Sequence, residues 1–209
     1  MSVVHALKNL IFPSRHASGF RHIVETLPLR NGCQALDVGA GGFCGDTTTI
    51  YLRDILKARI DAVEIDPALA EKLSERFGKT INVVCSDIES FLTNTDNHYD
   101  LIVHDIAIMD IFFDEMLPRY SHRLNKGGYI VAAFIFDHAK TNQGPAPLFS
   151  PEASAHQANF LLRRFGSLAP TRRQIQARLR PGCKVEAIVD KFNRRIPQLA
   201  GLGWLVLKV

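Results

Sequence analysis

The chain has 209 residues, 46% hydrophobic and 22% charged, with a formal net charge of +4. These are ordinary globular values that exclude a disordered or low-complexity chain, and no apolar run approaches the ~18–20 residues of a membrane span. Cysteines at 33, 44, 85 and 183 show neither CxxC pairing nor small-scaffold density, so free thiols in a reducing, cytoplasmic setting are expected.

One α/β domain with modest additions is the simplest reading of this length. Its charge is uneven. Residues 1–159 hold 14 Lys/Arg against 19 Asp/Glu, a net −5, whereas residues 160–209 hold 11 against 2, a net +9. That basic end could attract an anionic partner such as RNA, or equally form a solvated face balancing the acidic front.

In chain order, MSVVHALKNLIF has one lysine and no export segment or cleavage site. Val4, Leu7, Leu10 and Ile11 share one helical stripe that should fold onto the domain. Ser18–Leu27 has apolar residues at helical spacing, and Pro28 and Asn31–Gly32 punctuate it. Gln34–Val38 reads as a short first strand ending near Asp37. It turns through Gly39, Gly41, Gly42 and Gly45 into a helix over Thr47–Ala58, with Asp46 as N-cap. A glycine turn feeding a helix N-terminus lets the main chain approach a ligand closely. The threonine run has weak helix propensity and is expected to be held by ligand and tertiary contacts.

A second strand, Ile60–Ile65, ends in acid and precedes a helix from Pro67 to Phe77. Ile81–Cys85 is the third strand, followed by Asp87 and a short helix over Ile88–Leu92. Cys85 is expected to be buried there. Tyr99–His104 is the fourth strand and stops at Asp105. A helix over Ile111–Leu124 is closed by Lys126 and Gly127–Gly128, and Tyr129–Phe136 is a long apolar fifth strand. Asp137–Pro151 then reads as a polar loop, with Glu152–Phe165 and Thr171–Leu179 helical. Lys184–Val189 and Trp204–Val209 close the chain as an antiparallel end to a parallel sheet. Four successive strand ends therefore carry Asp37, Glu64, Asp87 and Asp105, as expected of a polar ligand crevice, although each acid could only cap its helix.

A GxGxxG dinucleotide fingerprint fits at Gly39 and Gly41, but Cys44 stands at its third glycine. The pattern resembles instead the class I S-adenosylmethionine-dependent methyltransferases. The resemblance spans roughly Ala17–Val209 and rests on LDVGAGG at 36–42, VEIDP at 63–67, SDIESF at 86–91, YDLIVHD at 99–105 and LNKGGYIV at 124–131. It implies a single-domain Rossmann-like, seven-stranded mixed sheet with an antiparallel final strand and helices on both faces. Residues 34–209 would form the S-adenosylmethionine-binding core. Residues 1–33 would contribute N-terminal helices to the acceptor pocket, and 137–179 would be a substrate-covering insertion.

By the same resemblance, Gly39, Ala40 and Gly41 would wall the methionine and ribose, and Asp37 would meet the amino acid moiety. Glu64 would accept from the ribose hydroxyls, Ile65 would pack on adenine, Asp87 would bond its exocyclic amine, and Ile88 would offer a backbone N–H. The implied reaction is methyl transfer, for which the protein aligns the reactants and excludes water. Asp105 would orient substrate or cofactor. His104 would be the base where one is needed, and His138 the second choice.

The acids give no divalent-metal site, and no NPPY-like motif or catalytic-cysteine arrangement is present. The expected acceptor is an O or N atom of a small molecule. RNA is the alternative, through Arg163–Arg164, Arg172–Arg173, Arg178, Arg180, Lys184, Lys191 and Arg194–Arg195, although no appended RNA-binding module is evident. An aminopropyltransferase resembling spermidine synthase, with Asp110, Asp114 and Glu115 after strand four, and a non-catalytic nucleoside-binding protein are further alternatives. A monomer or homodimer without a membrane partner is expected.

Overall fold

The computed structural model describes residues 13–41, 47–105, 107, 111–136, 175, 177–179, 183–189 and 201–209. Helix α1 (Pro13–Thr26) leads into β1 (Gln34–Val38), α2 (Thr47–Asp54), β2 (Arg59–Glu64) and α3 (Pro67–Phe77). Then come β3 (Asn82–Cys85), α4 (Ile88–Asn94) and β4 (Tyr99–His104). A π-helical turn over Phe112–Met116 runs into α5 (Leu117–Arg123), and β5 (Leu124–Phe136), β6 (Lys184–Val189) and β7 (Gly201–Lys208) complete the sheet.

The seven strands lie in the order β3-β2-β1-β4-β5-β7-β6. Strands β1 to β5 are parallel, and β7 runs antiparallel between β5 and β6. The order reverses at β1 and β4. In an open α/β sheet that is where a crevice opens beyond the strands' carboxyl ends.

Side-chain alternation along each strand builds a core on both faces. Ala35, Ile60, Leu101, Val103 and Val131 face one side with Phe20, Ile23 and Val24 of α1, Leu52 of α2 and Leu73 and Phe77 of α3. Leu36, Val63, Ile102, Ile130 and Leu205 face the other with Phe112, Phe113, Met116, Leu117 and Tyr120. Trp204 of β7 is fully buried, its ring centroid 4.9 Å from that of Phe20, and so ties the last strand to the first helix. Burying a side chain of this size contributes roughly 3 kcal/mol.

The expected fold class is present, and the helix over Pro67–Phe77 and the strands Tyr99–His104 and Lys184–Val189 fall where the pattern put them. Three details differ. Helix α2 stops at Asp54 rather than Ala58, because Lys57 takes a positive φ of 50° and turns the chain into β2. Gly127–Gly128 do not close a helix but sit inside β5. Leu124 pairs with Tyr99 and Tyr129 with Leu101, so the segment between them bulges out, with Gly127 at φ 79°. Cys85 is exposed rather than buried, since β3 is an edge strand and the residue stands at its end.

The N-terminal stripe, the Glu152–Phe165 helix and the 137–174 part of the insertion lie outside the described residues, although Ile175, Ala177 and Arg178 are helical. No helix among the described residues is long and apolar enough to cross a membrane.

Candidate functional site

The glycine turn after β1 is fixed from two sides. The Gly39 N–H donates to the Val63 carbonyl of β2 at 2.9 Å, and the Asp105 N–H donates to the Val38 carbonyl at 3.0 Å. Gly39 has φ 74°, a left-handed conformation that costs a side chain about 1 kcal/mol or more. At Gly41 the constraint is space. A Cβ there would lie 2.9 Å from Leu69 Cβ and 3.2 Å from Glu64 Oε2. Ala40 between them is buried.

Glu64 stands at the end of β2 and is only 4% exposed. Its Oε2 accepts the Gly41 N–H at 2.9 Å and its Oε1 accepts the Asp66 N–H at 3.0 Å. Each oxygen thus spends one lone pair on the main chain and keeps capacity for another donor. The carboxylate is held in one orientation against the turn. Asp66 meanwhile caps α3, accepting from the Ala68 and Leu69 N–H groups, which frees Glu64 from that duty.

Ile65, the next residue, is 69% exposed, unusual for a large aliphatic side chain beside a buried strand end. Asp87 follows β3 and caps α4, its Oδ1 accepting the Ser90 N–H at 2.8 Å. That bond holds the exposed carboxyl below its usual range. Ile88 opens α4 and packs partly against the second core.

Asp37 lies on β1 and is 0% exposed. Its Oδ2 accepts from the Thr48 hydroxyl at 3.0 Å and the Thr49 hydroxyl at 2.6 Å, both on the first turn of α2. Among the described residues its Oδ1 has no hydrogen-bond partner. Burial pushes the carboxyl up to about 7; the two threonine bonds pull it down, and the charges of Asp105 and Glu64 push it further up. Sequence reasoning expected the threonine run to be held by ligand and tertiary contacts but did not name Asp37 as the partner. The poor helix propensity of three adjacent threonines is thus offset by hydroxyls bonded to a buried acid.

His104 and Asp105 diverge at the end of β4. Asp105 is buried beside the turn, its Cβ 3.8 Å from where a Gly39 Cβ would stand. His104 turns to the second core, with Nδ1 2.7 Å from the Tyr120 hydroxyl and its ring edge-on to Phe112 at 5.8 Å. Burial pushes the imidazole down to about 4, with Asp105 partly opposing the shift. It is therefore neutral at pH 7 and a weak base. Tyr120, 16 residues along the chain, carried no sequence signal. His138 lies outside the described residues, as do Gly42, Phe43, Cys44, Gly45 and Asp46.

The structure thus gathers Asp37, Gly39, Ala40, Gly41, Glu64 and Asp105 at one sheet edge, with Ile65, Asp87 and Ile88 on the adjoining ends of β2 and β3. Among the described residues no group of three or more His, Cys, Asp or Glu is placed to hold a metal ion. The arrangement sets three buried carboxylates, Asp37, Glu64 and Asp105, around the glycine turn, beside the exposed side chain of Ile65.

No family model matches the chain. A curated protein of Drosophila melanogaster, an eEF1A lysine and N-terminal methyltransferase homolog, is 32% identical over 120 residues. That match takes in 54% of this chain but only 16% of the relative's length. Among solved structures, the cyclopropane synthase MmaA2 from Mycobacterium tuberculosis matches with a TM-score of 0.68 at 12% identity, covering 92% of this chain and 83% of that one. The mitomycin 7-O-methyltransferase MmcR gives 0.63 at 15% identity, covering 98% and 57%. The N-methyltransferase NodS from Bradyrhizobium japonicum WM9, in complex with S-adenosyl-l-homocysteine, gives 0.57 at 16% identity, covering 93% and 85%. Strand order and these likenesses agree: the chain has the Rossmann-like fold of the class I S-adenosylmethionine-dependent methyltransferases.

Proposed function

We propose that the chain is an S-adenosylmethionine-dependent methyltransferase whose acceptor is an oxygen or nitrogen atom of a small molecule. The observation that carries the reading is Glu64, buried at the end of β2 and aligned by the N–H groups of Gly41 and Asp66. A carboxylate held this way, with lone pairs to spare, suits the two adjacent hydroxyls of a ribose. The other residues fit the same nucleoside. Gly41 leaves no room for a Cβ and so brings its main-chain N–H up to Glu64, Ile65 offers an exposed apolar face for adenine, and among the described residues Asp37 has a buried oxygen without a partner. Asp87 and the Ile88 N–H would meet the edge of the base.

The cofactor would supply a methyl group on a sulfonium, already a strong electrophile. The protein's work is then to align the acceptor and exclude water. Asp105, buried beside the turn, would orient the acceptor or take its proton. His104, neutral and bonded to Tyr120, is better suited to offer a hydrogen bond than to act as a base. Free thiols at Cys33 and Cys85 agree with a reducing compartment.

A second reading takes a protein amine as acceptor. It is favoured by the sequence match to a relative named as a lysine and N-terminal methyltransferase homolog. RNA remains an alternative acceptor; of the basic residues that suggested it, Arg178 donates to Asp114 at 2.9 Å. The test is mass spectrometry of the purified protein for retained S-adenosylmethionine or S-adenosylhomocysteine, followed by label transfer from methyl-labelled cofactor into metabolite, protein and RNA fractions. Label in metabolites is expected. Label confined to protein would transfer the assignment to the second reading, and no label in any fraction would leave a nucleoside-binding protein.

A further inference from the structure

Two hydroxyls from one helical turn, those of Thr48 and Thr49, converge on a single oxygen of Asp37, while the other oxygen, fully buried, has no partner among the described residues. A buried acid with nothing to stabilise its charge takes up a proton. Around Asp37 the charged groups that face it are Glu64 at the end of β2 and Asp105 after β4, and both are acids that favour protonation further. Among the described residues no basic side chain hydrogen-bonds to it. The two threonine O–H groups oppose that push, since a hydrogen bond donated to the charged form favours it. They also orient the carboxylate by holding Oδ2, so that Oδ1 remains the acceptor for whatever enters.

We propose that Thr48 and Thr49 are positioning residues that keep Asp37 ionised and turned to receive the ammonium group of the cofactor's amino acid moiety, so that they set the lower end of the pH range in which the crevice binds it. This rests on the methyltransferase reading, which it deepens. A ligand cation is what the arrangement lacks: three carboxylates converge, and a positive group beside Oδ1 would satisfy the one buried oxygen without a partner. Affinity is full where Asp37 is ionised and falls as pH drops through its ionisation. Without the threonine hydroxyls the charged form loses support, and the fall begins at a higher pH. The shorter bond, from Thr49, carries more of the effect.

The experiment titrates the full chain calorimetrically with S-adenosylhomocysteine, which carries the same ammonium group, between pH 5.5 and 8. The wild type is compared with Thr48→Val, Thr49→Val and Thr49→Ser. Thermal melts report folding, and carboxyl 13C NMR reads the titration of Asp37 directly. The acid limb of affinity is expected to move up by about one pH unit in Thr49→Val, giving roughly 5-fold weaker binding at pH 7 and approaching ~10-fold at pH 5.5. Thr49→Ser keeps the hydroxyl and is expected to restore the wild-type limb. A merely structural role would lower melting temperature and weaken binding equally at every pH. That result, or an unmoved Asp37 titration in both valine variants, overturns the proposal. A wild type that binds the nucleoside at no pH sinks the methyltransferase reading itself, and this proposal with it. Should Thr49→Val fail to fold, Thr48→Val with the NMR titration decides.

Discussion

The hydroxyl of Tyr120 lies 2.7 Å from Nδ1 of His104, and satisfaction of buried polar groups assigns the donor. Burial pushes the phenol's ionisation well above its ordinary value, so it keeps its proton, and among the described residues His104 is its one partner. Were Nδ1 to carry the hydrogen, the phenolic O–H would be left with no acceptor. The O–H therefore donates, and the imidazole proton sits on Nε2. Nitrogen-15 NMR of His104 is expected to show that tautomer. Tyr120→Phe should lose the preference and about 1–3 kcal/mol of stability, the usual cost of leaving a buried acceptor unpaired.

Stability against pH should show two opposed contributions. His104 ionises near 4 in the folded chain against an ordinary 6.5, so an unfolded chain binds the proton first and stability is lost as pH falls from 6.5 towards 4. Asp37 ionises near 7 against an ordinary 3.8, so the folded chain holds the proton and stability is lost as pH rises from about 4 to 7. Each slope is at most about 1.4 kcal/mol per pH unit, and over pH 4 to 6.5 they largely cancel. His104→Gln removes one side of the balance. Urea titrations are expected to show the variant gaining stability on acidification from pH 6.5 to 5 relative to the wild type.

Gly41→Ala should be worse than its single added methyl suggests. The new Cβ would press on Leu69 Cβ at 2.9 Å, and Leu69 sits in the first turn of a capped helix that cannot easily give way. A loss of about 1–3 kcal/mol in stability is expected, together with weaker nucleoside binding, read by melting and calorimetry.

Glu64→Ala would cost folding as well as binding, because both carboxylate oxygens hold main-chain N–H groups. Glu64→Gln is the cleaner probe. The amide keeps one acceptor and puts an NH2 where the other N–H must donate. Nucleoside affinity is expected to fall ~10-fold or more, since bonds to a charged acceptor contribute about 1.5–3 kcal/mol each. Unchanged affinity by calorimetry would remove Glu64 from the ribose role.

Asp105→Asn should separate turnover from binding. It keeps the shape of the buried side chain next to Gly39 and removes its charge. A turnover loss of roughly 100-fold, with affinity for the nucleoside changed far less, is expected of a proton acceptor. Wild-type turnover would take it off the catalytic list.

Much of the frame could be read from the chain because its signals were local. Apolar runs ending in Asp37, Glu64, Asp87 and Asp105 gave the strand ends, and Pro67 marked the start of α3. What escaped was set by partners distant in sequence. Gly127–Gly128 look like a helix stop until β4 supplies the register that makes them a bulge. Cys85 looks buried until the strand order puts β3 at the edge. His104 looked like a base because nothing nearby announces Tyr120, and the 69% exposure of Ile65, which the resemblance set against adenine, shows only in the fold.

The placement of β7 bears on how the molecule is made. Gly201–Lys208 is the last strand in sequence yet fills an interior slot, bonded to β5 on one side and β6 on the other. During synthesis the apolar flank of β5 must stay bare until those residues leave the ribosome, and β6 has nothing to join before then. Trp204 can seat against Phe20 only at that same late moment. A nascent chain of this topology carries an unfinished, sticky sheet until β7 emerges, the condition in which a chaperone is most useful.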